Sequence, residues 1–141
     1  MLQGTHHVNE LEKLIPAISS MTECTPETYT AMAYALFALH KLNRASNVAN
    51  QALQLSPNNI EALILRGNIL FEQKKYQDSL KHFRQAHQLK PYRYEILKGL
   101  ADCFVGMHRL REASNIASTA YNQLGPTPRI LTVNKYIMLL I

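Results

Sequence analysis

The chain has 141 residues, 47% hydrophobic and 18% charged, and fifteen Lys and Arg against ten Asp and Glu give a formal net charge of +5. That size fits one domain or a short repeat array and leaves little room for a catalytic domain with a second module, and no apolar run reaches the roughly 20 residues that cross a bilayer. Five Gly, six Pro and few alternating β-branched runs argue against a sandwich or barrel and for a soluble, all-helical protein.

Residues 1–25 open without a basic segment followed by an apolar one, so no secretory signal is read and a place in the nucleus and cytoplasm is expected. Within them, Glu10 to Met21 reads as a helix. Thr25-Pro26 then sets a capping hydroxyl before a first-turn proline, and Thr127-Pro128 does the same later in the chain. Between these points the sequence repeats. Shifted by 34 residues, Tyr29, Leu63 and Leu97 align, as do Ala33, Gly67 and Ala101, and Leu36, Leu70 and Phe104. Ala45, Ser79 and Ala113 follow in register, then Ala52, Ala86 and Ala120. Pro57 and Pro91 fall in register too, with Pro126 one residue late.

Each copy reads as two amphipathic helices around a short basic turn. In the second, Leu63, Gly67 and Leu70 form one stripe, and Leu80, Phe83, Ala86 and Leu89 form another beyond Lys74-Lys75. Asn58, three residues before Glu61, has capping-box spacing. The expected units are 26–59, 60–93 and 94–127, with 128–141 starting a further repeat or serving as a capping helix. Small residues at the aligned positions let paired helices approach closely, so Gly67 is expected in a contact with Ser79 or Ala86. Leu70, Phe83 and Phe104 are expected to fill the remaining space and meet the next repeat. The closing IMLLI run, Ile137 to Ile141, lacks a polar outer face. It predicts self-association through the 129–141 helix, or a continuation that covers it.

The second copy, with Leu63, Gly67, Leu70, Ser79, Phe83, Ala86 and Pro91, resembles the tetratricopeptide repeat, apart from Arg66 at a usual Leu site; Gly125 stands at the last copy's Pro site. The resemblance covers residues 26–127 and implies a right-handed α-α superhelix of about three full repeats plus flanking helices. Residues 10–21 would then be the second helix of an incomplete preceding repeat. NNIEALILRGNIL, DSLKHFRQAHQLKPYR and LREASNIASTAYNQLG are similar to late repeats of the scaffold subunits of the anaphase-promoting complex, a cell-cycle ubiquitin ligase. That similarity implies a subunit that stacks on related repeat subunits and performs no chemistry.

The family further implies a concave groove lined by the first helices. The residues at those positions are Glu27, Tyr34, Phe37, Glu61, Ile64, Asn68, Phe71, Glu95, Lys98, Asp102 and Val105. Such a mixture suits an extended peptide, and related subunits accept tails ending in Ile-Arg. Asn68 would meet the ligand backbone, Phe71 and Ile64 its apolar side chain, and Asp102 with Glu95 its arginine. The alternatives are a substrate-selecting repeat region of a larger enzyme and a co-chaperone adaptor, the latter disfavoured because only Lys98 and Asn68 could build a carboxylate clamp.

Other candidate chemistry has a plainer reading. None of His6, His7, His40, His82, His87 and His108 pairs with another at i, i+4, so no metal is expected. No phosphate-binding loop or nucleophile elbow occurs, so neither a cofactor nor catalysis is expected. Cys24 and Cys103 stand far apart and read as reduced, buried thiols. Glu27, Glu61 and Glu95 recur at helix starts, where a carboxylate stabilises the dipole. Lys41, Lys75 and Arg109 recur in turns, where they complement the preceding C-terminus or face an acidic partner. The basic excess is mild and spread out, so no nucleic acid is expected.

Overall fold

The computed structural model describes residues 12–13 and 25–140; the expected 10–21 helix, His6, His7, Cys24 and Ile141 lie outside them, apart from residues 12 and 13. From residue 26 on the chain is helical, with no strand among the described residues: α1 Pro26–Ala38, α2 Leu42–Leu55, α3 Ile60–Glu72, α4 Tyr76–Leu89, α5 Tyr94–Gly106, α6 Leu110–Leu124 and α7 Pro128–Leu140. They form antiparallel pairs stacked into a right-handed α-α superhelix, each second helix packing against its own first helix and the next one.

Local chemistry sets the starts. Thr25 Oγ1 accepts from the Thr28 amide at 3.2 Å ahead of Pro26, and Thr127 Oγ1 accepts from the Ile130 amide at 3.4 Å. The cap of α3 differs from the expected capping box. Asn59, not Asn58, takes it, its Oδ1 accepting from the Ala62 amide at 3.0 Å. Asn58 instead accepts from Gln85 Nε2, which also donates to the Pro57 carbonyl and so ties this loop to α4.

The turns inside each pair share one geometry. Lys41, Lys75 and Arg109 donate their amides to the carbonyls of Leu36, Leu70 and Phe104, and the residues before them donate to Phe37, Phe71 and Val105. These paired bonds are Schellman closures of α1, α3 and α5. They force His40, Lys74 and His108 to φ of 57°, 62° and 59°, where glycine is the favoured residue. Lys74→Gly should therefore raise the unfolding free energy by about 1 kcal/mol, less the greater freedom glycine gives the unfolded chain. A urea titration with an unchanged or lower midpoint would count against strain at this turn.

The closing of α6 is different. Its helix continues through Leu124, where the preceding second helices have already ended at Leu55 and Leu89, and Gly125 turns the chain at φ 80°. This added residue is why Pro126 falls one place late.

The core centres on Phe83, 1% exposed, whose ring fills a slot between two glycines. A Cβ on Gly67 would lie 2.8 Å from that ring, and one on Gly99 would lie 2.4 Å from it. The expected small-residue contact is present as Ser79 Oγ donating to the Gly67 carbonyl at 2.6 Å, while Cys103 Sγ donates to Ser79 Oγ at 3.2 Å. Phe83 thus joins its own pair to the next repeat. Arg66 spans the other direction. From the place where the repeat pattern has Leu, its Nη1 donates to the Ser46 carbonyl of α2 at 2.7 Å.

Near Arg66, His82 is half-buried and its Nδ1 lies 2.8 Å from the Asp78 carbonyl. Burial, aided by the charge of Arg66, holds its pKa below the usual value of 6.5. The unfolded chain therefore binds this proton more readily, so the contribution is present above about pH 6.5 and is lost as pH falls through the lower folded value. Replacing His82 by Gln should flatten the stability profile in that window, which pH-dependent urea melts would read.

At the last helix the expectation needs one correction. Ile137 is not part of an exposed apolar face but turns inward at 2% exposure, packing with Val133 against the central core; Met138, Leu139 and Leu140 are exposed.

Candidate functional site: the groove of the first helices

Helices α1, α3, α5 and α7 recur every 34 residues, so residues 34 apart form columns across the stack. One column is Tyr34, Asn68, Asp102 and Tyr136; another is Glu27, Glu61, Glu95 and Arg129. Tyr34 and Glu61 help line a concavity of about 410 Å³ together with Glu27, Thr30, Ala31 and Asn59. Burial first, then the nearby Glu61 charge, raise the Tyr34 pKa above 10.0.

A second concavity, about 510 Å³, brings Phe71, Lys98 and Asp102 together with Tyr94 on α5 and Arg129 and Tyr136 on α7. Lys98 Nζ donates to Asp102 Oδ2 at 2.7 Å, one helical turn away. Burial alone would lower the Lys98 pKa, but this bond outweighs it and the net shift is upward. Arg129 lies over the Tyr94 ring, its guanidinium 5.5 Å from the centroid. Phe71 is half-buried and tilted against Tyr76, with ring centroids 5.3 Å apart.

The other expected residues are spread more widely. Asn68 is half-buried on α3, and Phe37 is half-buried against the core formed by α1, α2 and α3. Ile64, assigned to a ligand's apolar side chain, is 4% exposed and belongs to the central core. A ligand reaches it only at its edge. Glu61 and Glu95 do not face an empty groove: Arg93, in the loop before α5, donates to Glu61 at 2.7 Å and lies 3.6 Å from Glu95. The bond to Glu61 is the main reason the Arg93 pKa rises.

Tyr94, Arg129 and Tyr136 were absent from the sequence-derived set. Extending the 34-residue columns one step into α7 would have given Arg129 and Tyr136, because α7 keeps the register of the other first helices. The turn column behaves as a structural feature at Arg109, which donates twice to Glu112 at 2.8 and 3.0 Å and sits 5.1 Å from the Phe104 centroid. Among the described residues no group of three or more His, Cys, Asp and Glu side chains is placed to hold a metal. Likewise, no described helix is long and apolar enough to cross a membrane.

Stacked helix pairs in fixed register around such a groove define a tetratricopeptide repeat protein-interaction module, and a tetratricopeptide repeat model matches residues 70–132. A second model, described as anaphase-promoting complex, cyclosome, subunit 3, matches residues 5–86, more than half of the sequence, and the chain belongs to that family. It is 28% identical to anaphase-promoting complex subunit 7 of Homo sapiens over 133 residues, which cover 94% of this chain and 24% of the relative; the Mus musculus protein gives the same values. The chain thus spans about a quarter of the length of these relatives. It is also 30% identical, over 84 residues, to a DnaJ homolog subfamily C member 7 homolog of Schizosaccharomyces pombe, covering 60% of this chain and 18% of that protein. Among solved structures, a thermophilic TPR protein of Thermus thermophilus superposes with a TM-score of 0.83 at 21% identity, covering 96% of this chain and 75% of that one. MamA 41-end from Desulfovibrio magneticus gives 0.82 at 19% identity, covering 92% and 75%. These structural likenesses concern the fold.

Proposed function

We propose that this chain is a non-catalytic scaffold segment of an anaphase-promoting complex subunit, acting in cell division in the nucleus and cytoplasm. It would stack on related repeat subunits, with repeats divided at residues 26, 60, 94 and 128, and accept an extended peptide in its groove. The observation that carries this reading is the similarity to subunit 7 along 94% of the chain, together with the family match over residues 5–86.

The similarity to a DnaJ homolog favours a second reading, a co-chaperone adaptor that grips an acidic tail. Its chemistry fits less well, because Lys98, the groove lysine, is bound to Asp102 and would have to leave that partner first. Affinity purification of the tagged chain from cell extract, with mass spectrometry of the eluate, tests the two. Repeat subunits of the ligase should co-purify, whereas chaperones in their place would turn the assignment to the adaptor.

A further inference from the structure

Two intervals between neighbouring first helices set a pair of carboxylates from one 34-residue column beside a loop residue that also recurs in register. Between α3 and α5 the carboxylates are Glu61 and Glu95, and the loop residue is Arg93. Its Nη1 donates to Glu61 Oε1 at 2.7 Å and its Nε lies 3.6 Å from Glu95 Oε2, so one guanidinium bridges both helices.

Between α1 and α3 the same columns give Glu27 and Glu61, but the loop position holds Asn59. That side chain is uncharged and is committed to capping α3, its Oδ1 accepting from the Ala62 amide at 3.0 Å. It brings the two carboxylates no cation. Among the described residues no ion pair or side-chain hydrogen bond reaches Glu27, and Arg93 bonds Glu61 through Oε1, so Oε2 remains an acceptor. Where the next interval has its bridging guanidinium, this one has the concavity of about 410 Å³ walled by Glu27, Glu61, Asn59 and Tyr34. Tyr34, 43% exposed, stands where the later interval has Asn68 and adds a ring face to the wall. The chain uses such a face once already, with Arg129 lying 5.5 Å over Tyr94.

We propose that this interval seats an arginine side chain of a partner polypeptide, held between Glu27 and Glu61 as Arg93 is held between Glu61 and Glu95, with Tyr34 against the guanidinium face. Arginine fits better than lysine, because a planar fork reaches two carboxylates while stacking on a ring, whereas an ammonium is a strongly hydrated point charge. The seat is built within residues 27–61, inside the stack, and its assignment rests on the reading of the groove as a peptide site. Two intervals separate it from the concavity at Asp102. At about 10 Å per first helix that is roughly 20 Å, or about six residues of extended chain. The partner that fits carries an arginine at that distance before a C-terminal Ile-Arg.

Labelled peptides ending in Ile-Arg test this, alike except for one residue, Arg, Lys or Gln, placed in turn about five to eight positions before the tail. They are titrated against the whole chain by fluorescence anisotropy. At the fitting position Arg should bind about five- to tenfold more tightly than Gln, and Lys should gain less. Glu27→Gln should remove the gain, and so should Asn59→Arg, which puts into this loop the guanidinium that Arg93 supplies one repeat later. Glu72→Gln, the same loss of charge at the exposed end of α3, should keep it. Circular dichroism should show Glu27→Gln folded, since Glu27 is exposed. A gain that survives Glu27→Gln, one that Glu72→Gln abolishes, or an equal gain from Lys overturns the seat. No gain at any position while the Gln peptides bind overturns it too and leaves the groove reading standing, whereas no binding by any peptide removes both. Saturable binding by the Arg peptide alone would keep the seat and remove the tail from Asp102.

Discussion

Gly67→Leu should lower the unfolding free energy by about 1–3 kcal/mol, although leucine is the better helix former, because overpacking a filled core outweighs propensity. The obstacle is specific: the first added carbon would already lie 2.8 Å from the Phe83 ring, and the ring has Gly99 on its other side. It has nowhere to retreat. A domain is held by only about 5–15 kcal/mol, so the loss should appear as a clear fall in the denaturation midpoint. Gly99→Leu should act alike, and Phe83→Leu combined with Gly67→Leu should cost less than the two separate changes added together, since the smaller side chain releases the clash. A Gly67→Leu melt at or above the wild-type midpoint, or strict additivity in the double variant, would remove Phe83 from this slot.

The same cluster shows how far the sequence could be read. The 34-residue period placed the helices because small residues in fixed register have a packing cause that survives changes elsewhere. It identified Gly67 as a contact residue with Ser79 or Ala86 as its neighbour, and the structure shows the Ser79 contact. It did not single out Gly99 as the second wall of the Phe83 slot, because that contact crosses from one repeat to the next. Ile64 departs from its expected place for a related reason. A first helix in a solenoid is covered by its own second helix and by neighbours on both sides, so the groove strip is narrow and a residue three positions along from Glu61 can fall inside the core. The cap of α3 falls on Asn59 instead of Asn58 because neighbouring side-chain amides both can cap, and Asn58 is engaged by Gln85, a residue 27 positions away. Charges were the least legible. The composition of the groove gave Glu61, Glu95 and Asp102 as an acidic set outnumbering Lys98, but Lys98 is bound to Asp102, and Arg93 and Arg129 enter the same surface from a loop and the next repeat.

That pairing sharpens what a basic peptide should do. If a tail ending in Ile-Arg occupies the space between α5 and α7, its guanidinium must take Asp102 from Lys98, which now holds it at 2.7 Å. Tyr94 and Tyr136 would flank the tail's apolar residue, and Arg129 at the margin could receive its terminal carboxylate. Asp102→Ala then removes the acceptor and leaves Lys98 to repel the incoming arginine. A charge-assisted bond contributes about 1.5–3 kcal/mol, so binding should weaken roughly ten- to a hundredfold. Lys98→Ala should do the reverse, freeing Asp102 and tightening binding several-fold. Arg93→Ala should have a smaller effect of the same sign by releasing Glu61 and Glu95, whose pairs are exposed and already weakened by solvent. Salt separates this from nonspecific attraction: affinity for the wild-type chain should fall as ionic strength rises, and Asp102→Ala should flatten that dependence. Titration of a labelled Ile-Arg peptide against the four proteins at two salt concentrations gives the answer. Equal affinities for wild type and Asp102→Ala, or weaker binding by Lys98→Ala, would mean that the arginine is not held here and that this segment serves the stack rather than the tail.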